Sequence, residues 1–513
     1  MESLNMNYTS LDHDLAIRRF CPARVEEEQG EWEEILNEIE MCSSPTITNP
    51  NNNNGTNTPL LEAWEIDEFV DSFINMDEHY DDNNSSSNNN NKDSPPQDDG
   101  SPVEVETDVG LVVMPSVEEA NHGVDQGLHL VHMLLACAEA VGCRDTQLAD
   151  SMLNQIWSSV TPYGDSLQRV SYCFANGLKS RLSFLQNNVN TNGTFMNGSM
   201  EFSVSLEEKI EAFQLLYQTT PFIALGCMIA NEAICQAATN KDYLHIIDLG
   251  MEHTLQWPSL IRTLASRQEG SPKQLRITGL IDEDQTLVAE LKTSMNSLVE
   301  EANSLGVTLK FNLISEQVTP SLFTKEKLDL REEEGEALFF NGFMHLHKYV
   351  KESRGSLKSI LQSIKKLSPT LFTIVEQDAN HNGPFFLGRF LESLHYYSAI
   401  FDSLEASLPR NSQQRMKIER HHFAEEIRNI VAFEGPSRIE RHERVDQWRR
   451  QLGRAGFQVL GLKCLSQARM MLSVYGCDGY TLSSEKGCLL LGWKGRPILL
   501  ASAWQVNNVH SSS

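Results

Sequence analysis

Residues 244–248 read Leu-His-Ile-Ile-Asp, a short apolar run that ends two residues before Gly250. A helical pattern follows at Leu255–Ala265, and a second apolar run follows at Leu275–Ile281. Strand, turn, helix and strand within about 40 residues form a βαβ unit. Such units build parallel sheets with helices on both faces. This stretch therefore predicts an α/β fold.

Apolar runs later in the chain extend the predicted sheet. The further strand candidates are Val307–Leu313, Ala337–Phe340, Thr370–Val375, Gly456–Leu462, Met470–Val474, Cys488–Trp493 and Ile498–Trp504. Four residues that include Gly495 and Pro497 separate the last two runs, as is typical of an antiparallel hairpin. We therefore predict a Rossmann-like (methyltransferase-like) sheet that is mostly parallel and has helices on both faces.

Helical patterns precede this sheet and predict an N-terminal helical cap. The predicted helices are Leu128–Ala140, Leu148–Val160, Gly164–Leu185, Ser205–Leu216 and Pro221–Thr239. Ser205 and Glu208 have the spacing of a capping box. We place a globular domain at residues 123–507, with the cap at about 126–240 and the α/β core at about 241–507.

The first 122 residues carry most of the negative charge. The 513-residue chain has 70 acidic and 42 basic residues, and 28 of the acidic but only 4 of the basic ones lie in residues 1–122. Tracts of Asn, Ser, Thr, Pro, Gly and Asp at 44–59 and 81–102 cannot bury enough apolar surface to offset the entropy of folding. Residues 1–122 are therefore predicted to be a disordered acidic arm.

Two segments of this arm, 31–41 and 60–76, interleave acidic and large apolar residues at helical spacing. Each segment is expected to form an amphipathic helix only when its apolar stripe has something to pack against. Two alternatives stay open: the segments fold on a partner, as acidic activation segments do, or they dock on the body of the same chain.

Cysteine usage and hydropathy indicate the cellular compartment of the protein. Ten cysteines are scattered without a CxxC pair, and no secretory signal is present at the N-terminus, so we expect reduced thiols. Apolar runs such as Leu489–Leu491 are far shorter than the roughly 20 residues that cross a bilayer. The expectation is a soluble intracellular protein.

The strongest indication of an enzyme is the loop Asp248-Leu-Gly-Met-Glu252 after the first predicted strand. A cofactor site of this fold has a carboxylate at the strand tip and then glycines at two-residue spacing, so that the backbone approaches the cofactor. Gly250 fits this pattern, but the charged side chain of Glu252 opposes it. Asp282 and Glu283 follow the second strand and suit a ribose hydroxyl, although acidic residues at strand ends are common. The alternative to a non-enzyme is therefore a small-molecule-binding or methyltransferase-like enzyme that uses the cleft near Asp248 and Gly250.

Other catalytic patterns are missing from the sequence. His345 and His347 are two residues apart and His421 and His422 are adjacent, whereas two metal ligands on a helix are four apart. We expect these histidines to be surface or half-buried residues. The sequence has no Gly-x-Ser-x-Gly elbow and no P-loop. We predict that the chain is not an enzyme and has no catalytic residue, cofactor or metal.

The densest basic stretch runs from Arg438 to Arg454. Arg438, Arg441 and Arg449 have the spacing of one helical face and are the candidates for contact with DNA or a partner. Acidic residues interrupt the positive charge of this stretch, whereas a DNA-binding face is usually a continuous basic stripe. Direct DNA contact and a solvated, salt-bridged helix are both left open, and partner binding is favoured.

Five blocks of sequence stand out between about Leu128 and Val506. They are Leu244–Asp248 with Leu255-Gln-Trp257-Pro258, Asn341–Tyr349, Val375–Ala406, Ile427–Gly435, and Trp493 with Trp504. In residues and in order, these blocks resemble the plant GRAS family of transcription regulators. The family-motif residues expected to be mainly structural are Leu244, His245, Ile246, Ile247, Asp248, Trp257, Trp493 and Trp504.

This resemblance implies a nuclear regulator that pairs with other GRAS proteins as a homo- or heterodimer and is recruited to promoters by DNA-binding transcription factors. The opening of the domain, Leu128–Val141, is similar to that of the DELLA branch, but the arm lacks the Asp-Glu-Leu-Leu-Ala motif. The chain is similar in these respects to the branch required for arbuscule development in mycorrhizal roots. Because no basic localisation cluster is present, nuclear entry is expected to depend on a partner.

Overall fold

The computed structural model describes residues 117–190, 204–281, 285–331, 335–351 and 355–507. The predicted disorder of the arm and both amphipathic segments fall on residues outside this range. The first helix begins at Val117, ahead of the boundary expected at residue 123.

Helices form a layer before the sheet and then flank it. They are α1 (Val117–Gly142), α2 (Thr146–Ser159), α3 (Ser166–Asn190), α4 (Leu206–Thr219), α5 (Pro221–Ala237), α6 (Trp257–Ala265), α7 (Gln285–Ser304), α8 (Gly355–Lys366), α9 (Phe386–Ser407), α10 (Gln413–Ile418), α11 (Ala424–Ala432), α12 (Val445–Ala455) and α13 (Leu465–Ser473). Helices α1–α5 confirm the predicted N-terminal cap.

Local sequence explains where two of these helices begin. The capping box predicted for α4 is present, because Ser205 Oγ accepts a hydrogen bond from the backbone N–H of Glu208 at 3.2 Å. The backbone N–H of Ser205 in turn donates to Glu208 Oε2 at 2.9 Å. Helix α5 begins at Pro221, whose missing N–H costs nothing in a first turn.

The strands of the described residues form a single sheet. They are β1 (Tyr243–Asp248), β2 (Gln274–Ile281), β3 (Leu309–Ser315), β4 (Ala337–Phe343), β5 (Leu371–Gln377), β6 (Phe457–Leu460), β7 (Tyr480–Glu485), β8 (Cys488–Trp493) and β9 (Arg496–Val506). Their order is β3-β2-β1-β4-β5-β9-β8-β7, with β6 paired to β9. Strands β1–β5 are parallel to one another, and β6–β9 pair antiparallel. The predicted Rossmann-like sheet is confirmed.

The closing hairpin is also confirmed. Strands β8 and β9 pair antiparallel and are joined at Lys494 and Gly495, both of which have positive φ. Positive φ at both central residues is the mark of a type I′ turn, whose twist matches that of paired strands.

One predicted strand is wrong. Residues 470–474 belong to α13 and the turn after it, and the strand of this region is β7, which was not predicted. A short apolar run does not separate a strand from a helix by periodicity alone. Here Ala468 is buried whereas Met470 and Val474 are exposed, as in a helix with only one face on the core.

Apolar side chains fill both faces of the sheet. Ile246 and Ile247 are adjacent on β1 and belong to different core clusters, one on each face. The described cysteines are free thiols. Among the described residues no single helix is both long and apolar enough to cross a membrane, although α4 and α5, bent by 80°, reach that length and composition as a pair.

Close packing of α5 on the sheet predicts opposite effects for two glycine-to-alanine substitutions. A Cβ on Gly226 would lie 2.8 Å from Val375 Cγ1, whereas a Cβ on Gly453 in α12 meets nothing within 4 Å. Gly226→Ala should lower the free energy of unfolding, because overpacking costs about 1–3 kcal/mol and outweighs the better helix propensity of alanine. Gly453→Ala should raise it by about 0.5–1 kcal/mol. Urea unfolding of both variants checks this, and two shifts of the same sign would contradict it.

Candidate functional site

The candidate site lies at the carboxyl ends of β1 and β4, where the order of the parallel strands reverses. From β1 the chain proceeds to β2 on one side, and β4 then pairs with β1 on the other. In open α/β sheets, ligands bind in the crevice outside such a point. Asp248 ends β1 and lies in register with Asn341 on β4. The predicted strand-tip carboxylate therefore stands where a cofactor site would need it.

Hydrogen bonds from within the chain occupy both oxygens of Asp248. Oδ1 accepts from the backbone N–H of Gly250 at 3.2 Å, and Oδ2 accepts from Asn341 Nδ2 at 3.2 Å. The residue is only 5% exposed. Its carboxyl is therefore held by the loop and the neighbouring strand.

A buried amide network surrounds this pair. Thr373 Oγ1 on β5 donates to Asn341 Oδ1 at 2.9 Å, and Gln256 Nε2 donates to the same oxygen at 3.2 Å. Gln256 Nε2 also donates to Asn231 Oδ1 on α5 at 3.0 Å. The network links three strands to the helices on one face, so the polar groups at this edge find their partners inside the protein.

Burial changes the acidity of Asp248. It raises the pKa of this carboxyl to about 7, in spite of the opposing effect of the hydrogen bonds from Gly250 and Asn341. Ionisation therefore costs free energy in the folded state.

Side chains of the same chain cover the two glycines that would open the crevice to a ligand. The ring of His345 lies against Gly250, so that a Cβ there would overlap it. Met251 covers Gly279 on β2, where a Cβ would lie 2.7 Å from the Met251 sulfur. His345 and Met251 are both buried. The space against the backbone is therefore filled.

Residues after β4 hold the loop of Glu252 in place. Lys348 Nζ donates to Glu252 Oε1 at 2.5 Å, and His345 Nδ1 lies 3.3 Å from the same oxygen. The hydroxyl of Tyr349 donates to the backbone oxygen of Leu249 at 2.6 Å. Glu252, whose side chain is half exposed, thus joins the loop after β1 to the segment after β4.

The family-motif residues lie in buried positions. Those of β1 and α6 are Leu244, His245, Ile246, Ile247, Asp248 and Trp257, and those of the closing hairpin are Trp493 and Trp504. The indole N–H groups of the closing hairpin both have acceptors. Trp493 Nε1 donates to Asp402 Oδ2 at 2.5 Å, and Trp504 Nε1 donates to Ser502 Oγ at 2.9 Å. Asp282 and Glu283 lie outside the described residues.

The expectation that three arginines share one helical face is wrong, because the helix begins only at Val445. Arg438 and Arg441 precede it in irregular backbone and are buried. Arg438 donates to the backbone oxygen of His381 at 2.9 Å, and Arg441 donates to Asn382 Oδ1 at 3.0 Å. Arg449 is on α12 and lines a surface depression with Asp446 and Arg450.

The expectation that His345 and His347 are surface or half-buried is also wrong, because both are buried. His347 lies in a cluster with His381, His442, Glu376 and Glu440. The spacing of these residues in the sequence did not predict the cluster. The members come from three separate segments, and no local pattern could have identified them. His421 and His422 are half-buried, as expected.

Comparisons with known proteins agree with the fold. The family model described as the GRAS domain family matches residues 130–505. The GRAS family protein RAD1 of Lotus japonicus is 45% identical over 390 residues, which are 75% of each chain. The DELLA protein RGL1 of Arabidopsis thaliana is 37% identical over 389 residues, 75% of this chain and 71% of that protein. The crystal structure of SCL7 in Oryza sativa matches with a TM-score of 0.64 at 28% identity, covering 73% of this chain and 99% of that one.

Asp248 predicts a specific pH dependence of stability. An unfolded aspartate ionises near pH 4, whereas folded Asp248 ionises near pH 7, so the free energy of unfolding should fall between these values as pH rises. Asp248→Asn removes this contribution, which is on the order of 3–4 kcal/mol. The free energy of unfolding of the variant minus that of the wild type should therefore be larger at pH 8 than at pH 5. Urea unfolding at both values measures this, and a difference independent of pH would contradict it.

Proposed function

Because this chain belongs to the GRAS family, we propose that it regulates transcription by binding other proteins and has no catalytic activity of its own. Its similarity to proteins named as GRAS and DELLA family members supports the regulator role. The observation that supports the proposed lack of catalytic activity is the filled crevice at Asp248.

An enzyme that uses a methyl donor needs room for it against the backbone at the switch point. In this chain the room near Gly250 is taken by the His345 ring. A ligand would have to displace that ring and also break the contacts of Lys348 and Tyr349 with the loop. The methyltransferase-like enzyme is therefore the weaker candidate.

Exposed apolar side chains in and beside the helical cap support partner binding. Leu148 on α2, Phe184 on α3 and Phe385 before α9 are all exposed. Arg181 of α3 stacks over the ring of Phe386, the residue after Phe385, at 3.9 Å, so Phe184 and Phe385 lie on neighbouring elements. Exposed aromatic side chains on neighbouring elements suit a protein interaction surface.

The partners proposed are a second GRAS domain and a DNA-binding transcription factor. Two of the three arginines considered for DNA contact, Arg438 and Arg441, direct their guanidinium groups to groups inside the domain. Promoter recognition would then come mainly from the partner, and the site of action would be the nucleus. The acidic arm would recruit the transcription machinery.

The biological process proposed is arbuscule development in mycorrhizal roots. It rests on the family resemblance of the DELLA-like domain without the DELLA motif. Similarity to the RAD1 proteins of Lotus japonicus and Medicago truncatula, at 45% and 44% identity, is consistent with this branch.

Association and cofactor binding test the proposed function together. The purified full chain should associate with itself or with other GRAS domains in light scattering and pull-down, and titration with the methyl donor S-adenosylmethionine should give no heat of binding. Leu148→Glu with Phe385→Glu should weaken association about tenfold or more, because residues at the centre of an interface contribute about 2 kcal/mol. Met470→Glu with Val474→Glu places the same two charges at exposed apolar sites elsewhere and should leave association unchanged.

The opposite result would be equally clear. A chain that stays monomeric, captures no GRAS domain and binds the methyl donor saturably would contradict the proposal and favour the enzyme.

A further inference from the structure

A buried cluster of histidines and carboxylates lies at the carboxyl ends of β4 and β5. His347 is in the single turn after β4, and Glu376 is near the end of β5. His381 is in the loop after β5, and Glu440 and His442 are in the irregular segment before α12. These residues face one another across three segments that are distant in sequence.

Three of these side chains direct one atom each to a common point. Glu440 Oε2 lies 3.0 Å from His347 Nε2 and 3.3 Å from His442 Nε2. The three atoms all lie within 4.8 Å of one another. Two imidazole nitrogens and one carboxylate oxygen are a common set of protein ligands for a divalent transition metal.

Further contacts fix the second ring nitrogen, Nδ1, of both His347 and His442. His347 Nδ1 lies 2.7 Å from Glu376 Oε2, and the other oxygen of Glu376 accepts from the backbone N–H of His345 at 3.0 Å. His442 Nδ1 lies 2.9 Å from His381 Nδ1. Metal-bound histidines usually have such a partner on the second ring nitrogen, which orients the ring and fixes its tautomer.

Hydrogen bonding within the cluster leaves the converging nitrogens unsatisfied. His347 Nε2 and His442 Nε2 are buried, and within the described residues neither has a hydrogen bond of good geometry, in spite of the short distances to Glu440. Buried polar atoms without such a partner are uncommon in folded proteins. Both nitrogens therefore have a lone pair or a proton directed to the point that they share.

We propose that His347, Glu440 and His442 bind one divalent transition metal ion, for which zinc is the ion of matching chemistry. Zinc takes imidazole and carboxylate ligands, and three protein ligands leave a fourth position for water. The ion would tie the segment before α12 to the end of β4, and it would thus stabilise the packing of the loops at this edge of the sheet without taking part in catalysis.

A competing arrangement needs no metal. His347 would then be an imidazolium held between Glu376 and Glu440, at 2.7 and 3.0 Å. Zinc would leave the stability of such a protein unchanged, so the two arrangements predict different results.

Elemental analysis of the purified full chain tests the proposal. After incubation with zinc chloride and removal of the excess, the wild type should retain one zinc ion per chain. Glu440→Gln and His442→Gln should lose it, and His421→Gln, at a half-buried histidine outside the cluster, should retain it. Circular dichroism checks that the variants are folded.

A second measurement needs only the wild type. Treatment with a chelator should lower its thermal midpoint, and added zinc should restore it. Zinc retained equally by all variants, or a wild type that retains none and is not stabilised by zinc, would overturn the proposal.

Discussion

The hydrogen bond between Asp248 on β1 and Asn341 on β4 is the constraint on which this edge of the sheet depends. It joins the two strands at the switch point of a Rossmann-like sheet, where related folds leave an opening for a ligand. A buried carboxyl without partners would cost several kcal/mol. The backbone N–H of Gly250 and the side-chain amide of Asn341 meet this requirement, and Gln256 pairs in turn with Asn341, so the edge is complete without a ligand.

The segment after β4 links this edge to the rest of the domain. His345 and Lys348 of that segment close the crevice over Gly250 and Glu252, whereas His347 turns to the cluster formed with Glu376 and Glu440. A single turn of backbone therefore serves two buried polar sites. With the crevice filled, the exposed apolar residues Leu148, Phe184 and Phe385 are the proposed binding surface.

Sequence reasoning succeeded where local signals decide structure. The βαβ unit at Leu244–Ile281, the capping box at Ser205 and the hairpin at Gly495 each depend on residues close together in the chain, and each was confirmed. It failed where tertiary contacts decide: Arg438 and Arg441 had helical spacing but lie in buried irregular backbone. Glu252 was recognised as incompatible with a cofactor, but its pairing with Lys348 depends on two strands meeting across 96 residues.

Hydrogen exchange of the loop after β1 tests most directly that the crevice is closed by the chain itself. The backbone N–H of Leu249 donates to Asn341 at 2.9 Å, and that of Met251 donates to Leu280 at 3.0 Å. Both amides of the full chain should exchange as slowly as those of strand β1, and adding the methyl donor should change neither exchange rate. Fast exchange of this loop in the free chain, slowed by the methyl donor, would show an open cofactor site and contradict the account.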